Sequence, residues 1–286
     1  MANVDLKTIL EPHLIRNETP DREVYYSVRE AVLIELAARR GQTLTEIMRA
    51  CLEQGLWPER FRAQRGTMTA ADQARLLGSS VAVIGAGGLG GSVCLLLART
   101  GVGALTVCDG DDFDESNLNR QFLSKWSRLG LNKAQCAVEE IQTINPAVEV
   151  RAYPVWATER NLPRILAKAQ VVVDCLDSLR ARLQVEKAAR DLNVPFIHGA
   201  VAGLEGMVMS VFPGDPGLGG IYGSTPVDKK NTAEAYLGVP AVIPAMVAAL
   251  QVNEVVHILL GREAPARRKM LHVDLSAPAI EAIQFV

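Results

Sequence analysis

The run Ser80-Val-Ala-Val-Ile-Gly85-Ala-Gly87-Gly88-Leu-Gly90 constrains this chain more than any other stretch. A strand rich in β-branched residues passes into a glycine turn and then into an apolar helix, Leu89 to Thr100. The pattern continues with strand Ala104–Asp109, helix Asn132–Asn145, strand Val148–Tyr153, helix Asn161–Lys168, strand Val171–Cys175 and helix Leu179–Asn193. Strands that alternate with helices specify a parallel sheet covered on both faces. The expected fold is therefore α/β, a doubly wound (Rossmann-like), mostly parallel sheet. Runs at Pro195–Gly199, Met207–Phe212, Lys269–Leu275 and Ile280–Val286 read as further strands whose order the pattern does not give. Before residue 60 the pattern differs. Apolar residues at helical spacing in Tyr25–Arg39 stop at Gly41, and Thr43 with Glu46 forms a capping box for a second helix ending at Gly55. This gives a small N-terminal helical appendage over 1–59 and a nucleotide-binding domain over 60–286.

Composition removes several function classes. A length of 286 residues suits one large domain with an appendage. Thirty basic and 32 acidic residues leave a net charge of -2, so the bulk attraction that draws proteins to nucleic acid or anionic membranes is missing. The five cysteines, Cys51, Cys94, Cys108, Cys136 and Cys175, are odd in number and contain no C-x-x-C pair; they read as reduced thiols. The start, MANVDLKTILEPH, has no basic leader, and a cytoplasmic protein is expected. Pro240–Leu260 is long and apolar but carries Gln251, Asn253, Glu254 and His257, which are costly in lipid, so a buried helix is expected there. Residues 213–238 lack periodicity and are long for a connection, as lids and binding loops are.

Gly85, Gly87, Gly88 and Gly90 sit between strand and helix, where backbone amides and the positive end of the helix dipole hold an anion. Asp109 ends the second strand 19 residues beyond Gly90, placed to accept hydrogen bonds from ribose hydroxyls. These features describe NAD and ATP sites equally well. Asn117, Arg120 and Gln121 then fall just outside the carboxyl end of the sheet, where ligands of open α/β folds bind. A triphosphate carries more charge than a bridging pyrophosphate and needs cations beyond the glycine turn; Arg120 and Lys133 are the candidates. Lys133 opens a helix, a position that disfavours a cation unless an anion faces it. Asp177 is placed to bind Mg²⁺ with the phosphates, or to cap the helix that follows. His198, in a strand-like run, reads as a core residue.

The segments GAGGLGG, CDGDDFDESNLNRQ, GLNKAQ, INP at 144–146, DCLDSLRAR, HGAVAGLEG and QVNEVV occur in order from about Arg60 to the C-terminus. They resemble the MoeB, ThiF and HesA group of bacterial proteins related to ubiquitin-activating enzymes. The resemblance implies an ATP and Mg²⁺ pocket built from the glycine turn, Asp109, Asp111, Asn117, Arg120, Gln121, Lys133 and Asp177. It implies adenylation of the C-terminal carboxylate of a small ubiquitin-like, Gly-Gly-tailed sulfur-carrier protein, with pyrophosphate released, by a homodimer. Three departures accompany it. No cysteine lies between Glu205 and Val239, so neither the group's structural zinc nor a covalent thioester in that interval is expected. The group's R-Y-x-R-type motif, whose second arginine reaches the partner subunit's phosphates, reads Arg60-Phe-Arg62-Ala63-Gln-Arg65, leaving Arg62 or Arg65 to substitute. Alternatives are adenylation of a peptide terminus or modified tRNA base, an NAD-dependent oxidoreductase, and a non-catalytic module.

Overall fold

The computed structural model describes residues 6–223, 236–277 and 279–284. The part of the 213–238 interval at 224–235 lies outside the described residues. Val and Ile runs form an eight-stranded sheet: β4 (Ser80–Ile84), β5 (Ala104–Cys108), β6 (Glu149–Tyr153), β7 (Val171–Asp174), β8 (Phe196–Ala202), β9 (Glu205–Val211), β10 (Lys269–Asp274) and β11 (Ala279–Gln284). Their order is β11-β10-β9-β8-β7-β4-β5-β6. The strands from β6 to β8 are parallel, and β9, β10 and β11 add on antiparallel. The order departs from β4 in both directions, which makes the gap beside β4 the topological switch point.

Helices cover both faces: α5 (Gly88–Thr100) and α6 (Lys133–Ile144) on one, α7 (Leu162–Leu166) and α8 (Leu179–Asp191) on the other, followed by the short α9 (Gly219–Tyr222) and the long α10 (Val242–Leu259). The two faces form separate cores, around Val83, Val93, Leu97 and Val173 on one side and Ile84, Val172, Val185 and Phe196 on the other. Helix α10 is long and apolar enough to cross a membrane, but it packs inside the α5 core. Its polar residues explain themselves there: buried Gln251 donates to Asp174 O at 2.8 Å, and buried Glu254 accepts from Ser210 Oγ at 2.7 Å and Ala266 N at 2.9 Å. The buried Gln251 and Glu254 of this helix thus find partners within one subunit.

The N-terminal region corrects the expectation of an all-helical appendage. It contains α1 (Leu6–Leu10), α2 (Glu30–Arg40) and α3 (Leu44–Glu53), but also a sheet of β1 (Leu14–Glu18), β2 (Val24–Val28) and β3 (Leu56–Pro58) in that order. The stretch Tyr25–Val28 pairs with β1 rather than starting a helix. Its aromatic and β-branched residues favour a pleated surface, and Pro20-Asp21 before it supplies turn chemistry. The capping box of Thr43 and Glu46 forms as expected. The region shares a core with α4 (Ala70–Leu77), since Leu33, Met48 and Leu52 cluster with Ala74, Leu77 and Ala147. Arg60 locks the two parts, pairing with Glu30 (Nη2 to Oε1, 2.6 Å) and donating to Ile144 O at 2.6 Å.

Candidate active site

Strand register brings the site together. Ile84 pairs with both Cys108 and Asp174, and Cys108 pairs with Tyr153, so the loops leaving β4, β5, β6 and β7 start at one level. They surround a cavity of about 590 Å³ at the carboxyl edge of the sheet. A larger trough of about 870 Å³ lies between β6 and α7 and contains none of the glycine turn.

Three glycines are required for different reasons. Gly85 has φ of 94°, and a Cβ there would lie 2.6 Å from Cys175 O. Gly90 packs α5 against the turn so closely that a Cβ would fall 1.7 Å from Gly85 O; it does not line the cavity. Gly88, the first residue of α5, lines the cavity with Gly85 and Gly87. The free amides at the start of α5 therefore face a space kept open by missing side chains.

Asp109 accepts from Ala86 N at 2.7 Å and from Asp111 N at 2.9 Å, which fixes its carboxylate beside the turn. Burial pushes its pKa up, against those two hydrogen bonds and the Lys133 charge. Lys133 is buried at the start of α6 and reaches Asp111 Oδ2 at 2.6 Å, so an anion does face this cation. Arg120 lines the cavity, its Nη1 donating to Ser116 O and Asn119 Oδ1, each at 2.9 Å. Gln121 is buried, lines the cavity, and its Oε1 has no hydrogen-bond partner among the described residues. Asp177 also lines the cavity. Ser178 is the N-cap residue of α8 and makes no side-chain cap bond of its own.

Asn117 departs from the expectation. Its Oδ1 accepts from Asp114 N at 3.1 Å, closing the small turn that displays Asn119, Arg120 and Gln121, and it is absent from the cavity wall. Asn119 lines the cavity instead. Arg62 and Arg65, expected to reach a partner subunit's phosphates, lie away from this subunit's own cavity: Arg62 pairs with Glu59 at 2.8 Å, and Arg65 pairs with Glu23 at 2.8 Å and sits 4.2 Å over the Tyr25 ring. His198 is buried, as expected, with Nδ1 2.7 Å from Asp174 and Nε2 3.1 Å from Tyr222 Oη. Cys108 and Cys175 border the cavity, but burial pushes Cys108 up to about 12 and Cys175 well above the ordinary thiol value.

Besides Asn119, sequence reasoning missed Arg182 and Trp156 in the wall. Arg182 donates from Nη2 to Leu176 O at 2.6 Å and from Nε at 3.1 Å, holding the strap that carries Asp177. Trp156, just beyond β6, was signalled only by a large aromatic at the carboxyl end of a parallel strand.

The fold and site define an α/β protein with a glycine-rich cavity at the switch point of its sheet. The ThiF family pattern matches residues 61–285, and the chain belongs to the ThiF family. It is 38% identical over 212 residues to the sulfur carrier protein adenylyltransferase of Thermus thermophilus, covering 71% of this chain and 77% of that one. It is 34% identical over 198 residues to the sulfur carrier protein ThiS adenylyltransferase of Escherichia coli, covering 68% and 77%. The crystal structure of PaaA shares the fold over 96% of this chain and 98% of PaaA, with a TM-score of 0.64 and 19% identity.

Proposed function

We propose that the protein uses ATP to adenylate the C-terminal carboxylate of a small ubiquitin-like sulfur-carrier protein. The carrying observation is the convergence of the glycine turn, Asp109, Lys133, Arg120 and Asp177 on one cavity. The cavity fits a nucleotide chemically: open amides for phosphate, a fixed carboxylate for ribose, two cations, and an unsatisfied Gln121 oxygen for a ligand donor. The names of the relatives supply the carrier as substrate.

The reaction asks little covalent help of the protein. A carboxylate oxygen attacks the α-phosphorus, the bond to the β-phosphate oxygen breaks, and pyrophosphate leaves with the electron pair. Positioning and charge neutralisation carry the step. The glycine turn and α5 amides hold the phosphate chain, Asp109 fixes the ribose, and Arg120 and Lys133 balance charge on the leaving pyrophosphate. Asp177, on the cavity wall, is the carboxylate that would hold Mg²⁺ together with the phosphates. When bound, the ion supplies charge neutralisation between phosphates.

A homodimer in the cytoplasm completes the proposal. Edge strand β11 is exposed along its whole length, with Ile280 and Ile283 bare, and offers itself to a second copy. Light scattering at micromolar concentration should report a dimer; a monomer alone overturns that part. Calorimetry tests the nucleotide reading: Mg-ATP binds and NAD does not, whereas tight NAD binding without ATP binding would refute it.

A further inference from the structure

Trp156 is 65% exposed, yet its backbone is pinned. Asn161 Nδ2 donates to Trp156 O at 2.8 Å, and Cys108 Sγ donates to the preceding Val155 O at 3.2 Å. The indole rests on Gly110. A Cβ at that position would lie 2.6 Å from Trp156 N and 2.8 Å from the ring atoms Cγ and Cδ2, so a glycine is what lets the ring lie there. What sets Trp156 apart from the similarly exposed Trp126 is that its ring packs on Gly110 in the cavity wall, where a ligand can cover its open face.

The order of the strands shows which part of the ligand this is. Across the carboxyl edge the loops follow as β7, β4, β5, β6, and they carry Asp177, the glycine turn, Asp109 and Trp156 in that order. Neighbouring strands are about 4.8 Å apart, so successive loops are spaced like the successive parts of a nucleotide. Metal and phosphates fall at β7 and β4, ribose at β5, and the base at β6. The wall on that side combines Cys108, Gly110, Trp156 and Ala157 with the carboxylates Asp109 and Asp111, so Trp156 is its large flat surface.

We infer that Trp156 is the platform on which the purine base of the nucleotide stacks, and that it sets the preference of the site for a purine over a smaller pyrimidine. This rests on the ATP reading above. Aromatic–base stacking needs no hydrogen-bond code, so affinity comes from ring overlap and grows with ring size.

Three tryptophans are present, Trp57 buried at 4% exposure, Trp126 exposed at 71% away from the cavity wall, and Trp156, so intrinsic fluorescence can be assigned by substitution. ATP titration should quench emission in the wild type and in Trp126→Phe, but not in Trp156→Phe. By calorimetry, Trp156→Ala should raise the ATP Kd about 10-fold or more, on the scale of one lost base–aromatic stack, with Trp156→Phe in between. Inorganic tripolyphosphate, which has no base, should bind the wild type and Trp156→Ala equally and quench neither. CTP should bind the wild type more weakly than ATP, and the gap should narrow in Trp156→Ala. An ATP Kd within twofold of wild type in Trp156→Ala, or quenching that survives in Trp156→Phe, overturns the platform and leaves the ATP site intact. A wild-type protein that binds no ATP overturns both.

Discussion

Gly90→Ala separates the two duties of the glycine turn. The added methyl would lie 1.7 Å from Gly85 O and 3.1 Å from Cys175 Cβ. The first of these neighbours is backbone, so no rotamer change relieves it. The start of α5 must recede from the turn by more than about 1 Å, and α5 carries the buried residues Leu89, Val93, Cys94 and Leu97 with it. Overpacking costs about 1–3 kcal/mol where side chains can adjust, and a backbone clash belongs at the top of that range or above. At roughly 2–4 °C per kcal/mol for a domain of this size, Tm should fall by about 6–12 °C. Gly88→Ala is the contrast. The nearest atoms to its Cβ would be Pro244 Cβ at 3.5 Å and Arg120 O and Pro244 Cγ at 3.7 Å, ordinary contacts, so Tm should stay within about 2 °C, helped by the better helix propensity of alanine. Because Gly88 lines the cavity, ATP affinity should nonetheless fall about 10-fold or more. Circular dichroism melts and calorimetry read the pair. A Gly90→Ala protein melting within 2 °C of the parent would show that the close α5 packing is not what the glycine provides.

Other substitutions test the remaining parts. Arg120→Ala and Lys133→Ala should each cut ATP–pyrophosphate exchange by roughly 100-fold or more, the scale of one lost transition-state charge contact; unchanged exchange in both removes them from the mechanism. All five cysteines are buried, and burial pushes Cys51, Cys94 and Cys108 up to about 12, so native protein at pH 8 should react with a thiol reagent far more slowly than denatured protein. Intact mass after incubation with Mg-ATP and a Gly-Gly-tailed carrier should show unmodified enzyme; a thiol-sensitive adduct abolished by Cys175→Ala or Cys108→Ala would contradict this. Burial depresses His198 below its ordinary value of 6.5, opposed by Asp174, so the unfolded chain takes up the proton first. That contribution to stability is complete above pH 6.5 and is lost as pH falls below it. The drop in urea midpoint from pH 7.5 to 5.5 should therefore be smaller in His198→Gln, and an equal drop would refute the burial argument.

The central sheet was legible because a fully parallel strand is a continuous apolar run, and Val171–Asp174 and Ser80–Ile84 have no other reading. The glycine turn and Asp109 were legible for the same reason: their positions relative to strand ends are fixed by the fold class. Asn117 was misplaced because linear proximity to Arg120 does not show which side chain closes the turn and which points out. The β1–β2 hairpin was hidden by apolar spacing in Tyr25–Arg39 that fits a helix, although only Glu30–Arg40 forms one. Trp156 meets Gly110 because the β5–β6 pairing sets their two loops side by side, and Arg182 folds back six residues onto Leu176; neither contact follows from the apolar spacing.

Carrier-dependent pyrophosphate exchange tests the central claim most directly. Labelled pyrophosphate is followed into ATP with Mg²⁺, enzyme and a Gly-Gly-tailed ubiquitin-like carrier, beside a carrier whose terminal carboxylate is amidated. The account predicts label in ATP only with the free carboxylate, and loss of that exchange in Asp177→Asn. Exchange that ignores the amidation, or none with any free-carboxylate carrier while a peptide supports it, would contradict the assignment of the carrier as substrate.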